Sequence, residues 1–147
     1  MRSQTPKVLH TAAGRPLLAH VLAALAELGA RPVVVLSKES SAARSLLGDG
    51  ATVAMQDPPR GTGDAVRVAL DAIKDKSGEV LIVYGDTPLV RAETLRRLEK
   101  LRSSGGAVLA LLTGEMGSDN AYGRVLRDAK GDVAKIVEAR LATELRP

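Results

Sequence analysis

Apolar residues recur along this chain in two periods, and the order in which the periods alternate predicts its elements. From Leu17 to Leu28 the stripe is Leu17 or Leu18, Val21, Leu25 and Leu28, the spacing of a helix with one buried face. Pro16 suits its first turn and Gly29 its stop. Pro32 to Leu36 is a continuous apolar run of strand length, as expected of a strand covered on both faces. A short polar helix from about Ser40 to Leu47 and a strand from Ala51 to Met55 follow, separated by Gly48-Asp49-Gly50. Between Thr62 and Ile73, Val66, Ala69, Leu70 and Ile73 return three and four residues apart, with Thr62 placed to cap the helix. Val80 to Tyr84 reads as a strand, Arg91 to Arg102 as a helix burying Leu95, Leu98 and Leu101, and Ala107 to Leu112 as a further strand.

Strands that alternate with helices predict an α/β domain built on a mostly parallel sheet with right-handed crossovers. The tail changes character. Arg124 to Arg127 and Val133 to Glu138 flank the turn-rich Asp128-Ala129-Lys130-Gly131-Asp132, which predicts a hairpin with one wet face. No internal repeat or low-complexity segment interrupts the pattern.

Composition narrows the function classes. At 147 residues the chain suits one domain with one core. Its 45% hydrophobic and 26% charged residues are those of a globular protein rather than a disordered one. The two Tyr are the only aromatic residues, so the core is built from Ala, Val, Leu and Ile. Without Cys there is neither a disulfide frame nor a thiolate metal site, and a reducing compartment is the natural setting. The net charge of +4 comes from 21 basic residues interleaved with 17 acidic ones, a bias suited to small anionic substrates. Nucleic acid is disfavoured by the lack of aromatic stacking platforms. No apolar run is long enough to span a bilayer, and the N-terminus lacks a signal-peptide layout, so a cytoplasmic protein is expected.

Candidate chemistry is concentrated in the loops. In Val83-Tyr84-Gly85-Asp86-Thr87-Pro88-Leu89 an apolar run leads through Gly85 to a carboxylate, Asp86, at the place where α/β sheets bind ligands. A lone hard oxygen ligand suits Mg²⁺ bridging to substrate phosphates. The loop Gln56-Asp57-Pro58-Pro59-Arg60-Gly61-Thr62-Gly63 also leaves a strand and opens a helix. Its glycines allow backbone N–H groups to approach a ligand at a helix N-terminus, and the Gln56 amide can both donate and accept toward a nucleobase. A plain capped connection explains the same loop equally well, since neither the dinucleotide fingerprint nor the Walker A pattern is present. Lys7 follows Pro6 and offers a point charge for phosphate, although most lysines are solvated surface charges. His20 lies within the first helix and is best read as a satisfied helix-face histidine. Tyr122-Gly123-Arg124 and Glu138 offer a close backbone approach and a carboxylate for sugar hydroxyls, or else only a turn and a solvated strand end.

Five segments in register give a more specific signal: Pro6 to His10 with Ala13 to Leu17, Gln56 with Gly61 to Ala65, Tyr84 to Leu89, Tyr122 to Arg124, and Ile136 to Glu138. Together they resemble the N-terminal uridylyltransferase domain of the bacterial bifunctional GlmU family, over nearly the whole chain. The resemblance implies a three-layer, Rossmann-like nucleotide-diphospho-sugar transferase fold. It also implies transfer of UMP from UTP to N-acetylglucosamine 1-phosphate, yielding pyrophosphate and UDP-N-acetylglucosamine, a peptidoglycan precursor. By the motifs, Lys7 would meet phosphate, Gln56, Gly61 and Thr62 the uracil, and Tyr84 and Gly85 the nucleotide sugar. Asp86 would hold Mg²⁺, with Lys7 the other catalytic residue, and Gly123 and Glu138 would contact the N-acetylglucosamine part.

The family's Gly-rich loop, Leu-Ala-Ala-Gly-x-Gly-Thr-Arg-Met, precedes the Lys segment, and here the chain opens at what resembles that motif's final Met. The expectation is therefore a partial nucleotidyltransferase domain over 1–147, impaired in turnover, without the first strand and without the family's acetyltransferase β-helix domain. The full-length family leaves a homo-oligomer open, and Leu141 stands where the family usually carries an acidic residue. Two alternatives stand beside this reading: guanylyl or cytidylyl transfer to a cofactor on the same fold, and a non-catalytic nucleotide-binding remnant.

Overall fold

Hydrogen bonding in the structure, a computed structural model describing residues 5–117 and 122–138, begins with a tight device that leads the chain into its first helix. A 3₁₀ turn at Lys7–Leu9 precedes a small hairpin, β1 (Thr11–Ala12) and β2 (Arg15–Pro16), paired antiparallel. Ala13 and Gly14 close it with φ of 49° and 74°, the left-handed pair that matches the twist of two-residue hairpin loops. Leu17 N–H donates to the His10 carbonyl at 2.9 Å, and α1 (Leu17–Ala26) starts directly after Pro16. Gly29, at φ +67°, follows its end as the spacing predicts. The buried stripe is Leu18, Val21 and Ala24. Leu25 and Leu28 are only half-buried, one step off the expected face.

The chain divides into two compact units, Met1–Val108 and Leu109–Pro147. In the first, β3 (Val33–Leu36) and β4 (Thr52–Met55) pair in parallel, from Val33 beside Thr52 to Leu36 beside Met55. A 3₁₀ helix at Ser41–Leu46 stands in their crossover where a short polar helix is expected. Leu18, Leu36 and Ala43 form the core, with Val8, Leu9, Leu22, Val34, Leu46, Leu47 and Val53 packed against them. Two further helices, α2 (Thr62–Ala72) and α3 (Ala92–Ser104), complete the unit's regular elements. In α3 Ala92 and Leu95 are buried, whereas Leu101 is 66% exposed, contrary to its place on the predicted buried side.

Three expectations are corrected here. The Val80–Tyr84 and Ala107–Leu112 runs have strand composition but form no ladder among the described residues. A strand exists only when a neighbour accepts its backbone hydrogen bonds, and propensity alone does not provide one. The sheet is accordingly not a mostly parallel whole: the described residues form three separate two-stranded sheets, of which only β3–β4 is parallel. The α/β character holds, in incomplete form. Finally, Thr62 is the first residue of α2 rather than its cap, because Gly61 occupies the cap position at φ 100° and ψ 174°.

The second unit contains the predicted hairpin, β5 (Arg124–Arg127) against β6 (Val133–Val137). Its turn is held by the Asp128 carboxylate, which accepts from the N–H groups of Lys130 at 2.8 Å and Asp132 at 3.0 Å. Val137 is buried, while Leu126, Val133 and Ile136 are exposed.

Candidate functional site

Proline 6 fixes the entry to the Lys7–Leu9 turn, so Lys7 projects from a short rigid segment whose next residues, Val8 and Leu9, pack on the core. Gly85 approaches the same place. A Cβ on Gly85 would stand 3.4 Å from Val8 Cγ1 and 3.3 Å from Leu18 Cδ1, close enough that the Leu18 methyl would have to give way slightly. That approach brings the following residue, Asp86, within 2.6 Å of the Lys7 ammonium. Thr87 Oγ1 donates to the Tyr84 carbonyl at 2.8 Å and Val90 N–H to the Thr87 carbonyl at 3.2 Å, which holds the turn around Asp86. The Tyr84 ring itself is 61% exposed. Two residues nominated separately by sequence are thus one ion pair.

Gln56 continues the parallel ladder one step past β4, its N–H donating to the Leu36 carbonyl at 2.9 Å. This sets it at the carboxyl ends of both parallel strands, where α/β sheets place ligands. It is the only buried polar residue among those described, 8% exposed. Its Nε2 donates to the Gly61 carbonyl at 3.0 Å and to Asp64 Oδ2 at 2.8 Å. Asp64 Oδ1 in turn accepts from Arg67 Nη2 at 2.7 Å. The Gln56 amide first, and then the Arg67 guanidinium, hold the Asp64 carboxyl below the ordinary aspartate range. Gly61 and Thr62 lie where the loop enters α2, both exposed. Lys38, just after β3, pairs with Asp57 at 2.6 Å on the same loop.

In the second unit, Gly123 and Glu138 each lie one residue beyond the Arg124–Val137 pair, at the open end of the β5–β6 hairpin. A Cβ on Gly123 would stand 3.2 Å from the Val137 carbonyl oxygen. Sequence reasoning missed Asp64, Arg67 and the Lys38–Asp57 pair. The available signal for Asp64 was an acidic side chain in the first turn of a helix, close after a loop glutamine. His20 is a satisfied helix-face residue, as expected: its Nε2 lies 2.8 Å from the Ala12 carbonyl. The Leu141 position lies outside the described residues.

Comparison with known proteins places these groups in context. The family described as "MobA-like NTP transferase domain" matches residues 1–140. Among curated relatives, the bifunctional protein GlmU of Parvibaculum lavamentivorans is 45% identical over 149 residues, covering 98% of this chain and 32% of that protein. The protein of the same name from Kineococcus radiotolerans is 47% identical over 97% of this chain and 30% of its own length. That from Heliobacterium modesticaldum is 41% identical over 98% of this chain and 32% of its own. The chain thus spans about a third of the curated relatives it matches, and the likeness to GlmU seen in its motifs extends along almost its full length. It belongs to the family of MobA-like NTP transferase domains.

Proposed function

We propose that this domain serves uridylyl transfer: UTP and N-acetylglucosamine 1-phosphate react to give UDP-N-acetylglucosamine and pyrophosphate. The observation that carries the reading is the Lys7–Asp86 pair, a cation and a carboxylate drawn together from distant parts of the chain at 2.6 Å. In this reaction a phosphate oxygen of the sugar phosphate attacks the α-phosphorus of UTP. The new P–O bond forms as the bond to the β-phosphate oxygen breaks, and pyrophosphate leaves with that electron pair. No protein nucleophile is needed, so the chemistry asks chiefly for orientation and neutralised charge. The Lys7 ammonium supplies a point charge for phosphate oxygens. Gln56, with Gly61 and Thr62 at the α2 N-terminus, takes the uracil, and Tyr84 and Gly85 flank the nucleotide sugar. Gly123 and Glu138 take the N-acetylglucosamine part.

Asp86 suits a divalent cation by its chemistry. Its side chain is 30% exposed and pairs with the Lys7 ammonium, which Mg²⁺ would have to share or displace. Among the described residues no group of three His, Cys, Asp or Glu side chains could cage a metal. Asp86 would hold Mg²⁺ through its carboxylate, a hard oxygen ligand of the kind this ion takes beside substrate phosphates. Bound there, Mg²⁺ would offset negative charge on the triphosphate.

The direct test is pyrophosphate release from UTP, MgCl₂ and N-acetylglucosamine 1-phosphate. Release requiring all three components, and reduced by about two orders of magnitude or more in Asp86→Ala, is expected. Release that persists undiminished in Asp86→Ala removes Asp86 from the mechanism.

A further inference from the structure

We infer that Asp64 is a positioning residue for base selectivity, locking the Gln56 side chain so that the site meets its base with a carbonyl oxygen and not with an N–H group. The inference rests on the uridylyl reading of the Gln56 loop and goes beyond it to a residue outside the expected contacts.

A glutamine amide offers a donor end and an acceptor end, and rotation by half a turn exchanges them. Gln56 lacks that freedom. Nε2 faces two acceptors at once, Asp64 Oδ2 at 2.8 Å and the Gly61 carbonyl at 3.0 Å. Neither has a hydrogen to give at neutral pH, so the reversed amide would set oxygen against oxygen at both contacts. Both N–H bonds are thereby committed inside the loop. Oε1, toward which no donor is aimed among the described residues, is the end left for a ligand.

The lock is itself supported. Asp64 belongs to the first turn of α2, where the helix fixes its backbone, and Arg67 Nη2 holds the second carboxylate oxygen at 2.7 Å. Gly61 adopts φ 100° and ψ 174°, a conformation reserved for glycine, and from it the carbonyl reaches Nε2. An amide fixed by its donor end is built to accept. Uracil carries a hydrogen on N3 and can donate to an oxygen that faces that position, whereas cytosine presents a lone pair at N3 and would have to shift to offer its 4-amino group instead. Asp64 never touches the base on this account. It acts through Gln56.

Two measurements on the 147-residue chain decide the matter. The first, without nucleotide, follows the side-chain amide signals of Gln56 in ¹⁵N-labelled protein. Two well-separated, slowly exchanging protons are expected in the parent, and in Asp64→Ala a collapse toward free-amide values while the backbone signals of α2 stay in place. The second is calorimetric titration with UTP and with CTP. The parent prefers UTP, and Asp64→Ala lowers the UTP-to-CTP ratio by about an order of magnitude. Asp64→Asn, which keeps an acceptor for Nε2, retains most of the preference, a rescue that loss of a helix-terminal charge would not give. An unchanged amide signal and an unchanged ratio in Asp64→Ala overturn the inference. If that variant does not fold, free-amide signals for Gln56 in the parent overturn it alone. A parent that binds neither nucleotide overturns the uridylyl reading and the selectivity with it, while the amide signals separately decide whether Asp64 holds Gln56.

Discussion

At the scale of single residues, Lys7 and Asp86 separate stability from function. Their side chains are 62% and 30% exposed, and ion pairs so open to water contribute only about 0–1 kcal/mol. Lys7→Ala and Asp86→Ala should therefore unfold in urea within about 1 kcal/mol of the parent, although each removes a group assigned to the reaction. A loss well beyond that range would recast the pair as structural. Asp64 carries a different signature, in pH. Its folded pKa lies below the ordinary value because Gln56 and then Arg67 bind its ionised form. The stability it contributes is complete above the unfolded aspartate pKa and is lost as pH falls through the lower folded value. Urea midpoints of Asp64→Asn and the parent should differ most near neutrality and converge in acid; a difference independent of pH would contradict the assignment. Lys7 and Asp86 could be singled out from sequence as candidates, since a lysine after Pro6 and an aspartate after Gly85 are local features. Their pairing was not, because spacing along the chain does not encode which loops share a core neighbour. Here Val8 is that neighbour, and Gly85 lies against it.

At the scale of elements, what sequence made legible was whatever depends on local period. The helices α1, α2 and α3 and the β5–β6 hairpin fall within a few residues of expectation. The errors lie where an element depends on something elsewhere. Leu101 is 66% exposed, and no periodicity reports whether a neighbour covers a given turn. Val80–Tyr84 has a strand's composition and lacks a strand's ladder, for the same reason. The α2 cap is a subtler case. Thr62 was the natural choice by residue type, yet the conformation at Gly61 ends the loop one residue earlier. Gly61→Ala should cost on the order of 1–3 kcal/mol, since an L side chain resists that backbone, and should also loosen the Gln56 contact. A thermal transition equal to the parent's would show that the loop adopts another conformation.

At the scale of the whole molecule, the described residues form three small paired sheets, two in the first unit and one in the second, and long apolar segments stand outside all three. Val80, Ile82, Val108, Leu109 and Leu112 are all more than half exposed. Backbone amides of Val80–Tyr84 and Ala107–Leu112 should exchange with solvent faster than those of β3 and β4, whose ladder and core contacts protect them. Equal protection would mean that those segments are paired in solution. No helix among the described residues is long and apolar enough to cross a membrane. The central claim is that Lys7, Asp86 and the Gln56 loop together hold a uridine nucleotide with a divalent cation. It is tested most directly by calorimetric titration of the chain with UTP, with and without MgCl₂, in the parent and in Asp86→Ala. The account predicts binding that Mg²⁺ strengthens by about tenfold or more in the parent and leaves nearly unchanged in the variant. The same Mg²⁺ dependence in both proteins, or no binding of UTP at all, would contradict it.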